Sequence, residues 1–347
     1  MVASPEGLLF RVFGYSHPPK RYICDAEYAS ANVFTSTDPR APRTGGNQHF
    51  YKFYNDEGIK LVFKKFPQYT IFHKMLGKKV VAVDPKFAEV RKPEERLLLL
   101  IETEPEDTLV DAMQCVLNTI LEQSDSSIEN FGVFGSMLHG FHHPGFSDID
   151  LVVYGRKENK RIREVLEALY ADASSNFKNE FSSADVMGGK HWRYQNLSLK
   201  EFLWHQRRKQ IYGLFNDAKS GRVIKAEFEP VKAWSEIMSE YDSNTRIVQK
   251  GWVKLKARVV DDADAGFIPS LYAIQPIELL KGPKRAIEAV RVFSYMEEFR
   301  LQAQQDETVY VEGNLEEVVS PNRSFHQVTL TYCPRYYEQV LKVDGLN

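Results

Sequence analysis

The stretch Phe131–Tyr154, FGVFGSMLHGFHHPGFSDIDLVVY, decides how the rest of the 347-residue chain is read. It opens on a short apolar run, Phe131-Gly132-Val133-Phe134, with the character of a buried strand. Gly135-Ser136 follows, then a loop carrying Gly140, Pro144 and Gly145, then Asp148-Ile149-Asp150 running into Leu151-Val152-Val153-Tyr154. Residues two apart on a strand share a face, so Asp148 and Asp150 point one way and Ile149 points into the core. Two carboxylates on one rigid face repel unless a cation lies between them, and oxygen-only ligands suit Mg²⁺ or Mn²⁺. Gly135 lets a phosphate approach the backbone, and Ser136 opens a helix whose first amides have no internal partner. A lone Asp-x-Asp is most often a solvated strand end. A strand, Gly-Ser, a further glycine, and Ser-Asp-x-Asp entering a second strand form a much more specific combination.

This pattern resembles the nucleotidyltransferase superfamily of DNA polymerase beta, the CCA-adding enzymes and the minimal nucleotidyltransferases. Gly135, Ser136, Gly140, Ser147, Asp148, Asp150 and Leu151 fit it, while the position before Gly140 is His139 where a small or basic residue is common. The resemblance spans roughly residues 105–235. It implies Mg²⁺ or Mn²⁺ held by Asp148 and Asp150, and a nucleoside triphosphate, ATP among them, held through Gly135 and Ser136. It also implies a third carboxylate on a later strand in an acid-x-x-Pro setting. Glu227-Phe228-Glu229-Pro230 is similar, which favours Glu227 as third metal ligand and as the group that helps deprotonate the attacking hydroxyl, with Glu229, or neither of the two, as the alternatives. The family's usual residue there is Asp, so a Glu carboxylate sits one methylene further out.

Length allows two or three domains. With 45 Lys and Arg against 47 Asp and Glu, no global field attracts nucleic acid, so any such attraction is local. Cys24, Cys115 and Cys333 are scattered without a CxxC, which argues for a reducing compartment and against zinc or disulfides. No run is long and apolar enough to span a bilayer, and a cytoplasmic location is expected.

Flanking the motif, Pro105 to Gln123 carries Leu109, Val110, Met113, Val116, Leu117, Ile120 and Leu121 at helical spacing, with Asp107 or Thr108 as cap. Arg156 to Ala171 reads as a second helix with its lysines and arginines in solvent. The polar stretch 173–197, with Gly188, Gly189, Lys190 and His191, reads as irregular. Ser198 with Glu201 makes a capping box, opening a helix that ends in Arg207 and Arg208. These two arginines head a local excess of positive charge between Lys190 and Lys232 that suits a triphosphate or an RNA backbone. Arg222 to Val231 alternates as a strand, with Lys225, Glu227 and Glu229 on one face. His139, His142 and His143 suggest phosphate or base contacts, or plain exposure, before a metal.

Residues 1–100 read as mainly β. Ser36 to Gly46 is a mobile Pro- and Gly-rich loop, and a Lys-rich, aromatic run follows from Tyr51 to Val80. Residues 245–347 read as mainly β as well, apart from Ala286 to Gln304, which reads as helix-like or as a helix breaking into a strand. Their several short strands suggest a small barrel of the oligonucleotide-binding kind. The expected fold is therefore α+β: a polymerase-beta-like α/β domain at 101–240 between β-rich domains at 1–100 and 241–347. The expected activity is transfer of a nucleoside monophosphate from an NTP to a hydroxyl, most plausibly on RNA, with pyrophosphate release. The competing expectation is a nucleic-acid-binding protein with this fold but no turnover. Base preference and oligomeric state are not written in the sequence.

Overall fold

The structure is a computed structural model and describes residues 1–45, 47–182 and 192–345. The glycines at 188 and 189, Lys190 and His191 of the polar stretch, and Gly46, lie outside the described residues. The chain is α+β, with three sheets and, among the described residues, six α-helices.

The first sheet takes β1 (Val2–Ala3), β2 (Leu8–Val12), β3 (Tyr22–Ser30), β4 (Pro42–Gly45), β5 (Gln48–Lys52), β6 (Thr70–His73), β7 (Lys78–Val83) and β8 (Glu89–Val90). Its path is β4-β5-β3-β2-β1-β8, with β7 joining β3 and β6 joining β7. The segment read as a mobile loop thus contains a strand, because β4 pairs antiparallel with β5. Leu61 to Lys65, part of the Lys-rich aromatic run, lies in helix α1 (Glu57–Lys65), whose Val62 is buried among Phe10, Ala26 and Val81.

The central sheet is ordered β11-β12-β13-β10-β9, from β9 (Phe131–Val133), β10 (Ile149–Tyr154), β11 (Phe177–Asn179), β12 (Tyr212–Asp217) and β13 (Arg222–Val231). Only β10 and β13 run parallel within it. One core lies on its back. Helix α2 (Pro93–Ile101) supplies Leu97 and Leu100, and α3 (Thr108–Gln123) supplies the apolar stripe its spacing predicted. The Asp107 carboxylate caps α3 by accepting from the Leu109 and Val110 amides at 2.8 and 3.0 Å. Helix α5 (Arg156–Ala171) completes the layer with Ile162, Leu166 and Leu169. The five-residue α4 (Gly135–His139) connects β9 towards β10 and ends on Gly140, whose φ of 72° is left-handed. Helix α6 (Leu199–Arg208) opens on the expected capping box of Ser198 and Glu201.

The third sheet holds β14 (Arg246–Asp264), β15 (Ser270–Lys281), β16 (Ala289–Ser294), β17 (Thr308–Val319), β18 (Ser324–Leu330) and β19 (Val340–Val343). Pairing runs β14-β15-β16-β18-β17, and β17 pairs again with β14, so the ring of pairings returns to its first strand. Of the two readings of 286–304, a helix throughout gives way here and a short helical turn passing into a strand is nearer the structure. The strand is β16, which pairs in parallel with β18, a partner more than thirty residues away, and only short 3₁₀ turns flank it. No helix among the described residues is long and apolar enough to cross a membrane.

Candidate active site

Parallel pairing of β10 and β13 sets the site. Asp150 lies opposite Glu227 and Val152 opposite Glu229. Neighbouring strands are about 4.8 Å apart, so alternation presents Asp150, Glu227 and Glu229 together on the face away from the main core. Ile149, Leu151, Ala226 and Phe228 point into that core and are buried. Asp148 stands just before the strand and reaches solvent.

These acids differ in what neutralises them. Burial pushes the Asp150 carboxyl up to about 8, and the charges of Glu227, Glu229 and Asp148 push the same way. Burial works against Glu229 too, but the Arg300 guanidinium overrides it and, with Arg11 and Lys225, brings that carboxyl down to about 2. Arg300 is 2% exposed, grips Glu229 with two nitrogens, and donates to the Tyr212 hydroxyl at 3.0 Å. Burial raises Glu227 as well, opposed by Lys225, which is ion-paired with Glu227 and lies 3.5 Å from Glu180. Glu229 is therefore committed to an internal ion pair, and Glu227 is the acid left beside Asp150.

Gly135 sits against Asp150. Its φ is +55°, and a Cβ there would lie 3.1 Å from Asp150 Cγ and overlap Oδ2. The Phe134 amide donates to the Asp150 carbonyl at 2.8 Å, tying the Gly-Ser turn to the acid strand. The first sheet roofs this arrangement. Tyr28 and Phe50 pack on Phe141 with centroids 5.2 and 5.3 Å apart, and Gly45 lies so close to the Phe141–His142 backbone that a Cβ would meet His142 O at 2.6 Å. That contact brings Arg43 and Lys52 towards the carboxylates. Burial raises Asp148, while Lys225, Arg222, Arg43 and Lys52 oppose the shift in that order.

Comparison with known proteins adds to this geometry. Residues 115–210 match the family model described as nucleotidyltransferase domain. The chain carries a nucleotidyltransferase domain. It is an enzyme of the polymerase-beta-like class, and the match includes Gly135, Ser136, Asp148 and Asp150 but stops before Glu227. The chain is also similar to an uncharacterized protein of Methanocaldococcus jannaschii, 24% identical over 322 residues that cover 92% of this chain and 90% of that one. No solved structure matches.

The nucleotidyltransferase site recruits cations other than those expected. Arg208 donates to Glu307 of β17's approach at 2.6 Å and lies over the Trp204 ring at 4.2 Å. Arg207 is exposed and donates to the Phe181 carbonyl at 3.2 Å. Both arginines have partners away from the acids, because the end of α6 is anchored in the third sheet. Buried Lys209 donates to the Glu298 carbonyl at 2.7 Å, and the Val343 amide donates to His205 Nε2 at 3.0 Å. The cations that act on Asp148 are Lys225, Arg222, Arg43 and Lys52, and those that act on Glu229 are Arg300, Arg11 and Lys225. Lys225 had a sequence signal, since it shares a strand face with Glu227 two residues on. Arg300, seventy-one positions from Glu229, had none.

The histidines do not gather. His139 is buried, its Nδ1 3.0 Å from Arg91 Nη1, and burial pushes its pKa down to about 3. His142 bonds Asp107 at 3.1 Å, and His143 stacks on Phe146. Among the described residues no three His, Cys, Asp or Glu side chains converge as a metal cluster, because Glu227 is turned to Lys225. The donor chemistry nevertheless fits a divalent cation: all oxygen, with Asp150 left unneutralised by the protein and pressed against a glycine.

Proposed function

We propose that this nucleotidyltransferase moves a nucleoside monophosphate from an NTP, ATP among the candidates, to a hydroxyl of RNA, releasing pyrophosphate with Mg²⁺ or Mn²⁺. The observation that carries the reading is the placement of Asp150, opposite Glu227 on the paired strand, two residues from Asp148 and set against Gly135. A carboxylate held protonated by its neighbours is one that a bound cation would draw into the ionised form. Asp148, Asp150 and, once released from Lys225, Glu227 would hold the metal. Bound there, the cation would neutralise charge on the transferring phosphoryl group and ease ionisation of the acceptor hydroxyl. Gly135 and Ser136 would receive the β- and γ-phosphates. The acceptor oxygen bonds to the α-phosphorus as the bond to the bridging oxygen breaks, with the hydroxyl proton passing to Glu227 and the electron pair leaving on pyrophosphate. Catalysis is then chiefly positioning and charge neutralisation.

RNA is favoured as acceptor by the β-rich flanks and the basic, aromatic run from Tyr51 to Val80, while the cations near Asp148, Lys225 and Arg222 from one sheet and Arg43 and Lys52 from another, suit the triphosphate. The ring of pairings β14-β15-β16-β18-β17, with β16 and β18 parallel, supports a small barrel of the oligonucleotide-binding kind in a third domain from about residue 241. The first domain would end just before Pro93, short of the expected residue 100, because α2 packs into the central core. A cytoplasmic location accords with three unpaired cysteines.

One observation favours a second reading, nucleic-acid binding without turnover: Lys225 occupies the carboxylate that would complete the metal site. Pyrophosphate release with each NTP, Mg²⁺ or Mn²⁺, and with or without total cellular RNA, separates the two. Release that RNA stimulates and that Asp150→Ala and Glu227→Ala abolish supports the transferase. Metal-dependent NTP binding without release supports the binder.

A further inference from the structure

A cavity of about 400 Å³ opens where the three sheets meet, on the same face of the central sheet as the acids. Its floor is Val152 and Glu229, each two residues beyond Asp150 and Glu227, so it begins about 7 Å along the strands from the proposed metal ligands. Its walls are rings: Phe134 beside Gly135, Phe13 and Tyr22 from the first sheet, and Tyr154 from β10. Trp234, 76% exposed, stands at the edge. Charged and polar groups of the lining have partners of their own. Arg300 holds Glu229, the Tyr154 hydroxyl donates to Glu94 at 2.8 Å, Lys232 pairs with Asp264 at 2.7 Å, and Arg11 with Glu297 at 2.7 Å. The cavity thus offers ring faces and apolar surface, at a size suited to one small organic group.

Charge divides the face in two. Arg222 donates to the Ser147 carbonyl at 3.4 Å and Lys225, one residue before Ala226 opposite Ile149, pairs with Glu227, both at the Asp148 end, and the aromatic cavity lies on the other side of Asp150. A triphosphate belongs on the cationic side. In phosphoryl transfer the attacking and leaving oxygens lie in line on opposite sides of the phosphorus. With pyrophosphate leaving towards the cations, the acceptor hydroxyl must arrive from the cavity side. We propose, resting on the transferase reading above, that this cavity seats the terminal nucleoside of the nucleic-acid acceptor, its base among Phe13, Tyr22 and Phe134 and its hydroxyl towards Asp150. Stacking on aromatic side chains is how such proteins hold an unpaired base.

The test uses the full chain as wild type, Val152→Phe, which fills the cavity, and Phe13→Ala, which removes a wall. Adenosine, cytidine, guanosine and uridine are titrated by calorimetry. The KM for an oligoribonucleotide with a free 3′-hydroxyl is measured alongside the dissociation constant for NTP alone. The cavity site predicts nucleoside binding to wild type, weakened roughly 5- to 150-fold in Phe13→Ala, the loss of one stacking contact. It also predicts a parallel rise in acceptor KM, and an NTP constant within about threefold of wild type. RNA-dependent release with acceptor KM unchanged in both variants overturns the cavity site and leaves the transferase standing. Nucleoside binding that both variants lose, without any pyrophosphate release, supports the cavity site and overturns the transferase. No nucleoside binding to wild type and no shift in acceptor KM overturns the cavity site.

Discussion

Replacing Gly135 by alanine tests the contact on which the site turns. Two costs are separable. The backbone at φ +55° is left-handed, which costs an L-residue with a side chain about 1–2 kcal/mol. For a chain of this size that is a fall in Tm of roughly 1–3 °C. The second cost is positional. A Cβ would sit 3.1 Å from Asp150 Cγ and overlap Oδ2, whereas ordinary contact begins at 3.4 Å, so the carboxylate must move aside. A displacement of about 1 Å at a reacting centre costs roughly 100-fold in rate. Gly221→Ala is the control: its φ is +68°, with nothing within 4 Å of the added Cβ. Thermal unfolding and Mg²⁺-dependent pyrophosphate release are measured on both. Similar losses of stability are expected, with activity down about 100-fold in Gly135→Ala and near wild type in Gly221→Ala. Equal activity in the two variants would refute the reasoning.

Arg300→Met leaves Glu229 buried without its counter-charge and should cost about 3–5 kcal/mol in chemical denaturation, much of it regained in Arg300→Met/Glu229→Gln. Stability should fall at both ends of the pH scale without metal. Glu229 binds its proton less tightly folded than unfolded, so its contribution is present above about 4 and lost as pH falls towards about 2. Asp150 binds its proton more tightly folded, so stability is also lost as pH climbs from about 4 towards about 8, by at most ~1.4 kcal/mol per unit. Added Mg²⁺ should reverse that second loss in a Tm series and leave the first. Lys225→Met removes the cation that opposes protonation of Glu227, so the acid limb of the activity profile should move to higher pH. An unmoved limb would detach Glu227 from the reaction.

Much of this arrangement was readable in the chain because the signals are local. Strand β10, its Asp-x-Asp, the alternation of β13, the stripe of α3 and the box capping α6 each declare themselves within a window of about ten to sixteen residues. Glu227 and Glu229 could not be told apart that way. They share a face two residues apart, and what separates them is Arg300, brought in from the third sheet by folding. The same holds for Arg43 and Lys52. Their stretch reads as loop and basic-aromatic run, and only packing of β4 and β5 over Phe141 and His142 turns them towards Asp148. Arg207 and Arg208 have partners that the sequence did not show, for the converse reason. Positive charge near the motif in sequence says nothing of Glu307, which claims Arg208 across the fold. The strand β16 was hidden for want of its partner, since β18 lies beyond any local window.

The most direct measurement follows the α-phosphate. NTP labelled at that position is incubated with the full chain, Mg²⁺ and cellular RNA, and label in RNA is compared with pyrophosphate released. Equal amounts of each from wild type, both abolished in Asp150→Ala, are the predicted result. Label that stays in NTP or appears as free nucleotide, with none in RNA, would contradict the account.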